Sequence, residues 1–220
     1  MPHMSDTIIQ NTVEFVKEIL AGAEGGHDWY HIERVWNTAR YIQKQEGAGD
    51  LLTIELSALL HDISDAKFNG GDEVMGSRMA REFLVKLGVD QGKVAHIQRI
   101  IQHVSYKGGF TQDQINTIEF QIVQDADRLD AMGAIGIARA FNYGGFKNRP
   151  IHRPEVPLQE YKDSRSYHQS DAPTINHFYE KLLKLKDLMN TSTGIKMAEE
   201  RHTYMLEFLD RFYKEWDPGS

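Results

Sequence analysis

The chain has 220 residues, of which 40% are hydrophobic, and a formal net charge of -7 at pH 7. This length is enough for one domain with a substantial core, and the acidic balance excludes broad nucleic-acid binding, which needs a basic surface. The sequence contains no cysteine, which excludes disulfides, a thiolate nucleophile and a cysteine-based zinc site.

Hydrophobic residues recur at helical spacing along nearly the whole chain. Sustained alternation with a period of two, typical of half-buried strands, is not found in the sequence. Asp28 is a plausible N-cap and Gly88 a plausible helix stop. The pattern therefore predicts an all-α fold with helices over residues 8–20, 28–45, 52–63, 73–87, 90–104, 118–141, 176–188 and 193–216.

The segment 142–173 interrupts the helical pattern, because it holds four of the six prolines and the pair Gly144-Gly145. A loop of this length is usually either functional or disordered. It is either a surface excursion or a loop that covers a substrate. Lys147 and Arg149, which follow the glycines, would suit contacts to a phosphate.

The pair His61-Asp62 directly follows the core-forming run ELSALL. Neighbours on a helix point about 100° apart, so the two side chains would converge on one ligand only at a helix end. The Asn69-Gly70-Gly71 turn favours such an end. Asp65 lies four residues after His61 and so on the same face. Alternatively, His61 donates to a main-chain carbonyl and Asp62 caps an amide.

His27 and His31 are four residues apart and imitate the HExxH helix of zinc peptidases. The sequence between them offers Asp28, whose side chain is shorter than that of the glutamate base in that motif. His27 also follows a glycine run and stands barely inside the helix. His31, one turn further in, is the better ligand candidate, and Arg34 lies one turn later on the same side, where it could bind phosphate.

The segment Gln124–Asp130 places Asp127 near the start of a strongly apolar stretch, with Asp130 one turn later. Closely spaced acids repel one another unless a cation is near. They form either a solvated acidic turn with Arg128 as the counter-charge or part of a metal site.

One ion explains all these polar groups more economically than separate local contacts. Buried imidazoles and carboxylates cost free energy unless something satisfies them, and two of each make a mixed nitrogen and oxygen set that suits a divalent metal. The sequence therefore favours a metal site built from His31, His61, Asp62 and Asp127.

The order His31, His61-Asp62, Asp127 resembles the HD superfamily of metal-dependent phosphohydrolases. The resemblance extends to several segments of one bacterial single-domain subgroup and covers about residues 10–216. These segments are GHDWYHIERVWNTA, LSALLHDISDAK, IIQHVSYKGG, DADRLDAMGAIGIARAFNYGG and TINHFYEKLLKLKDLMNT. The GYP motif of the signalling phosphodiesterase branch does not occur in the sequence, which argues against cyclic-dinucleotide cleavage.

The resemblance implies a single helical HD domain over residues 1–220, with the loop 142–173 covering the site. It also implies one divalent ion bound by the four residues above, with Asp65 as the catalytic residue that orients or deprotonates the attacking water. Mn²⁺ is favoured, and Fe²⁺, Co²⁺, Ni²⁺, Mg²⁺ or Zn²⁺ are left open by the mixed ligands.

His96 and His103 lie seven residues apart on one predicted helical face. Three roles stay open for them: contacts to the substrate, a second metal site as in dinuclear members of the superfamily, and structural packing. His103 and Lys107, close to Ser105 and Tyr106, are favoured as substrate contacts.

The expected activity is hydrolysis of a small phosphorylated substrate, a nucleoside triphosphate cleaved to the monophosphate and pyrophosphate. The alternatives are a 5'-nucleotidase or other phosphomonoesterase, and a regulatory module that binds nucleotides without turnover. The N-terminus lacks the features of a signal peptide, and no apolar run reaches the roughly 18 residues of a membrane span. We therefore expect a cytoplasmic protein without a membrane partner, as a monomer or a homodimer.

Overall fold

The computed structural model describes residues 4–22, 28–63, 74–104, 115–159 and 172–219. Over these residues the secondary structure is helical without a β-strand, which confirms the prediction of an all-α fold. None of the described helices is both long and apolar enough to cross a membrane. The α-helices are α1 (Met4–Ile19), α2 (Trp29–Glu46), α3 (Leu51–Leu60), α4 (Met75–Lys86), α5 (Gln91–Val104), α6 (Ile118–Asp130), α7 (Gly133–Phe146), α8 (Thr174–Glu180) and α9 (Ser192–Trp216), and a 3₁₀ helix spans Leu182–Leu188.

The chain forms two compact units, Met1–Asp127 and Arg128–Ser220. The core of the first unit is built around α3, which is buried on nearly all sides. A helix that is apolar all round has to be enclosed by other elements. Residues of α1, α2, α4 and α5 enclose it, and the cluster includes Val16, Ile32, Leu56, Leu59, Leu60, Leu84 and Ile97, each of which is 0% exposed.

Helices α2 and α3 form an antiparallel pair because only a short turn joins them. Gly47 ends α2 in the left-handed region, with φ +63°, and its N–H donates to the carbonyl of Gln43. Asp50 then caps α3, since its Oδ1 accepts from the N–H of Thr53 at 2.9 Å. The start of α2 and the end of α3 therefore lie at the same open end of the pair.

Aromatic side chains dominate the second unit. The ring of Phe178 is fully buried, and its centroid lies 6.0 Å from that of Phe141 and 5.9 Å from that of Phe208. His152 contacts Trp216 edge to face at a ring distance of 5.0 Å. These contacts connect α7, α8, α9 and the segment after α7 into one core.

The prediction of one continuous helix over residues 118–141 is wrong, because the helix is interrupted between α6 and α7. Met132 is extended, and Gly133 has φ +67°, a conformation that side-chain-bearing residues rarely adopt. The apolar pattern continues across this break, so periodicity alone did not reveal it. A second predicted helix, 176–188, is divided into α8 and the 3₁₀ helix.

The start of the predicted loop at residue 142 is also wrong. Helix α7 continues to Phe146 and includes both Gly144 and Gly145. A Cβ on Gly144 would lie 2.2 Å from the Oγ1 of Thr174, so this glycine permits a close approach of the chain. The glycine pair is therefore part of a packed helix, and the irregular segment begins at Lys147.

Candidate metal centre

The first side chain of the site is set by the beginning of α2. The Oδ1 of Asp28 accepts a hydrogen bond from the N–H of His31 at 3.0 Å, which confirms Asp28 as the N-cap. His31 is the third residue of α2 and lies in its first turn, slightly nearer the end than predicted. Its side chain is 2% exposed, so the cap fixes a buried imidazole at the open end of the α2–α3 pair.

The second imidazole is set by the end of α3. The helix ends at Leu60 and His61 is its C-cap, so the pair His61-Asp62 stands at a helix end, three residues before the predicted end at residue 63. The Nδ1–H of His61 donates to the carbonyl of Ala58 at 2.8 Å, because a carbonyl can only accept. This bond turns Nε2 towards His31, whose Nε2 is 3.2 Å away. The local contact weighed in the sequence analysis thus exists, and it orients the ring.

Carboxylates complete the cluster. The Oδ1 of Asp127, near the end of α6, lies 3.7 Å from the Nε2 of His31 and 3.6 Å from the Nε2 of His61. The Oδ2 of Asp62 lies 3.9 Å from the Nε2 of His31. The structure therefore brings the four predicted ligands, which are distant in sequence, to one place in the first unit.

Among the described residues, His31, His61 and Asp127 form a group whose ligand atoms all lie within 4.8 Å of one another. Asp62 joins this group through its contact with His31. The imidazoles are buried, whereas the side chains of Asp62 and Asp127 are 13% and 22% exposed. Solvent and a ligand would therefore reach the cluster from the side of the carboxylates.

The charges of the carboxylates act strongly on His61. Burial by itself lowers the pKa of this imidazole, but Asp127, Asp62 and the bond to Ala58 outweigh burial and raise the pKa to about 9. Without an ion, His61 is therefore protonated at pH 7. The same carboxylate charges that raise the pKa of His61 would also favour a metal cation.

The distances between the donor atoms fit one ion. Nitrogen and oxygen ligands about 2.1 Å from an octahedral ion lie about 3.0 Å apart when adjacent and about 4.2 Å apart when opposite. The measured separations of 3.2, 3.6, 3.7 and 3.9 Å fall between these limits. Two imidazoles and two carboxylates also suit a divalent transition metal.

Several predicted site residues lie elsewhere or outside the described residues. His27, Asp65 and Lys107 lie outside them. Arg34 lies one turn after His31 on α2, and His103 lies in the last turn of α5. The structure does not test their predicted contacts to a substrate.

His96 has a structural environment in the described part of the chain. Its Nε2 lies 3.4 Å from the Oε2 of Glu119 and 3.4 Å from the Oγ1 of Thr117. Glu119 in turn accepts from the N–H of Asp50 at 3.0 Å. These contacts link α5 and α6 to the start of α3, and they favour the structural role among the three that were open.

The predicted site residues of the second unit have contacts within that unit. Arg128 donates through Nη1 to the carbonyl of Leu188, and Asp130 forms an ion pair of 2.8 Å with Arg139. The Nζ of Lys147 lies 5.3 Å from the ring centroid of Phe146. The guanidinium of Arg149 lies 5.5 Å from the ring centroid of Tyr143.

Glu55, which was not among the predicted site residues, connects α2 and α3. Its Oε1 accepts from the Nε1 of Trp36 at 3.1 Å and lies 3.2 Å from the Nε of Arg40. Burial raises the pKa of this carboxyl group, against the opposing effects of Trp36 and Arg40. A glutamate inside the apolar run before His61 was the available signal, since such a group needs a partner.

Comparison with known proteins agrees with this site. The family model of the HD domain matches residues 28–132, a range that includes all four predicted metal ligands. The protein YpgQ of Bacillus subtilis (strain 168) is 38% identical over 203 residues, which cover 91% of this chain and 90% of YpgQ.

Solved structures extend the likeness to nearly the whole chain. An HD-superfamily hydrolase from Bacillus thuringiensis is 43% identical with a TM-score of 0.75, covering 96% of this chain and 98% of its own. A crystal structure of Bacillus subtilis YpgQ in complex with ADP is 34% identical with a TM-score of 0.76, covering 99% and 98%. The chain belongs to the HD superfamily and is a metal-dependent hydrolase with an HD-type phosphohydrolase fold.

Proposed function

We propose that the protein hydrolyses nucleotides, converting a nucleoside or deoxynucleoside triphosphate to the monophosphate and pyrophosphate. The observation that carries the proposal is the cluster of His31, His61 and Asp127, with Asp62 beside it. The crystal structure of the related YpgQ with ADP supports a nucleotide as the ligand.

The four clustered residues would hold one divalent ion, which supplies a Lewis acid for a phosphoryl oxygen and for the attacking water. Mn²⁺ is our first choice, because the donor set mixes nitrogen and oxygen. The Ala58 carbonyl fixes the ring of His61, and the Asp28 cap fixes the main chain of His31. Both supports act before any ligand binds, so the donors need little rearrangement.

In the proposed reaction a water oxygen bonds to the α-phosphorus, and the bond from that phosphorus to the bridging oxygen of the β-phosphate breaks. Pyrophosphate leaves with the electron pair of that bond. Asp65 takes the proton of the water. Arg34, His103 and Lys107 neutralise phosphate charge in this proposal, as do Lys147 and Arg149 if the segment from Lys147 to Pro173 covers the bound substrate.

The test is a panel of nucleoside mono-, di- and triphosphates with the purified protein and Mn²⁺, measuring orthophosphate and pyrophosphate separately. We expect pyrophosphate and the monophosphate in equal amounts. Water enriched in ¹⁸O should label the monophosphate, since the attack is at the α-phosphorus. Orthophosphate released from monophosphates would instead identify a phosphomonoesterase, and failure to turn over any nucleotide with metal bound would refute the proposal.

Asp65→Asn provides a matched control for the role of the predicted base. The amide keeps the size of the side chain and loses its ability to take a proton. We expect Mn²⁺ binding to be retained and the turnover number to fall about 100-fold, a typical contribution of a general base. Loss of the metal in this variant would show that Asp65 is a ligand instead.

We place this activity in the cytoplasm, on a monomer or a homodimer. The lack of cysteine in the sequence fits a reducing compartment such as the cytoplasm. Cell fractionation and sedimentation of the purified protein test the two statements separately.

A further inference from the structure

Three side chains tie α2 to α3 away from the metal ligands, and we call them the Glu55 clamp: Glu55, Trp36 and Arg40. One oxygen of Glu55 receives the indole N–H of Trp36 at 3.1 Å and lies 3.2 Å from the Nε of Arg40. The guanidinium of Arg40 also stands 5.5 Å from the ring centroid of Trp36. Each member therefore contacts both others, and the three form a closed set.

The clamp lies between the turn of the α2–α3 pair and its open end. Trp36 follows His31 by five residues on α2, and Glu55 precedes His61 by six residues on the antiparallel α3. At 1.5 Å per residue, both offsets correspond to about 8 Å along the helices. The clamp is thus in register with the two histidines and lies about one and a half turns behind them.

A divalent ion is sensitive to the spacing that this clamp controls. The Nε2 atoms of His31 and His61 are 3.2 Å apart, close to the separation of adjacent ligands. At a well-formed site each metal–ligand distance stays within about 0.2 Å of its typical value. Sliding or splaying of α2 against α3 would move the two imidazoles apart, because each is attached to the end of its helix.

The polar contacts of the Glu55 clamp fix the relative position of α2 and α3 more than they stabilise the fold. The side chain of Glu55 is only 13% exposed, and a buried carboxylate bridge is often no more stabilising than apolar side chains of similar size. The hydrogen bond from Trp36 is directional, however, and together with the ion pair to Arg40 it restricts the relative position of the two helices. An apolar contact of similar size would permit small sliding movements.

We propose that Glu55 is a positioning residue for the metal centre: through Trp36 and Arg40 it sets the spacing of His31 and His61 and so the affinity for the ion. It acts without touching the ion or the substrate. The inference rests on the proposed metal-dependent function, and it adds a residue outside the ligand set that tunes the site.

The experiment measures Mn²⁺ binding by calorimetry and by the electron paramagnetic resonance of the bound ion, with urea unfolding in parallel. Glu55→Ala should weaken Mn²⁺ binding about tenfold, the lower end of the effect of supporting residues at metal sites. Glu55→Gln retains an oxygen that accepts from Trp36 and loses only the charge that pairs with the half-exposed Arg40, so it should restore the affinity to within about threefold of the unchanged protein. The double variant Trp36→Phe with Glu55→Leu should keep most of the stability of the unchanged protein. Its Mn²⁺ affinity should nevertheless be lowered as much as in Glu55→Ala.

Gln102→Ala is the matched control. Gln102 donates to the Oγ of Ser77 at 3.2 Å and so ties α4 to α5, neither of which carries His31, His61, Asp62 or Asp127. This variant should lose some stability and keep the Mn²⁺ affinity. A Glu55→Ala protein that binds Mn²⁺ as tightly as the unchanged protein would overturn the inference. Failure of the unchanged protein to bind Mn²⁺ would instead overturn the proposed function.

Discussion

Asp127 and Asp130 lie one turn apart on α6, yet they belong to different units of the chain and have different neighbours. Asp127 contacts the imidazoles of His31 and His61 at 3.7 and 3.6 Å. Asp130 contacts the guanidinium of Arg139 at 2.8 Å and is 5% exposed. An arginine keeps its positive charge permanently, whereas an imidazole can release its proton and bind a metal ion.

Other arginines of the second unit also have structural partners. Arg128 and Arg201 donate to the main-chain carbonyls of Leu188 and Leu129. These arginines satisfy acceptors near helix ends, where carbonyls lack partners within the helix. In the first unit, by contrast, the imidazoles of His31 and His61 lie close to the carboxylate of Asp127, in a cluster that could bind a cation. The comparison teaches that equally acidic positions become ligands or structural partners according to what the other helices present.

The largest expected effect is the loss of the metal centre in Asp127→Ala. Removing this carboxylate takes away the donor that contacts both imidazoles, so Mn²⁺ affinity should fall by more than about 100-fold and turnover should fall to background. Calorimetry and metal analysis measure the outcome. An equal loss of Mn²⁺ affinity in Asp130→Ala would contradict the different roles of Asp127 and Asp130.

The second prediction concerns the stability of the Asp130→Ala protein. This change leaves Arg139 without its carboxylate partner in a mostly buried place, so the free energy of unfolding should fall by about 3 kcal/mol. Urea unfolding measures this loss. Asp210→Ala is the control, because Asp210 pairs with Lys214 on the exposed face of α9, and exposed pairs contribute only about 0.5 kcal/mol. Equal losses of stability in the two variants would show that burial of the Asp130–Arg139 pair does not increase its contribution.

The third prediction is a pH dependence of metal binding. Since the pKa of His61 is raised to about 9 in the protein without metal, the ion must displace a proton at lower pH. Affinity for Mn²⁺ should therefore fall about tenfold for each unit of pH lowered from 8 to 6. Calorimetry in buffers of different ionisation enthalpy would detect the released proton. An affinity that stays constant over this range would refute the assignment.

The same raised pKa affects stability with a defined sign. The folded, metal-free protein holds the His61 proton more tightly than the unfolded chain does, whose imidazole has its ordinary pKa of 6.5. The resulting stabilisation is complete below pH 6.5 and is lost as the pH rises through about 9. Urea unfolding of metal-free protein at pH 6 and pH 9 checks this direction.

The smallest expected effect distinguishes the two adjacent glycines of α7. Gly144→Ala would bring a Cβ within 2.2 Å of the Oγ1 of Thr174 and should cost about 1–2 kcal/mol of stability. Gly145→Ala meets nothing within 4 Å, and it should gain up to about 1 kcal/mol from better helix propensity. Thermal unfolding compares the two. A stabilised Gly144→Ala protein would mean that this close approach does not constrain the helix.

Local features could be predicted because they depend on a few neighbouring residues. Asp28 caps α2 since its side chain accepts from an amide three residues later. The end of α3 was predicted less well, because the apolar pattern continues to Ile63 whereas the helix ends at Leu60. The break before Gly133 could not be predicted in this way, because the apolar period continues across it. The glycine pair of α7 was assigned to the irregular segment 142–173, since only the packing of Gly144 against Thr174 shows that it belongs to a helix.

Residue types alone were enough to predict the all-α class and the cap of the helix that carries His31, and they also gave the proposed set of four ligands, because capping, periodicity and ligand chemistry depend on residue type. Only the tertiary structure decided that Asp127 joins the imidazoles while Asp130 pairs with Arg139. It also decided that Glu55 ties the two ligand-bearing helices together. The physical reason is that these contacts join residues distant in the chain, so their partners depend on how the helices pack.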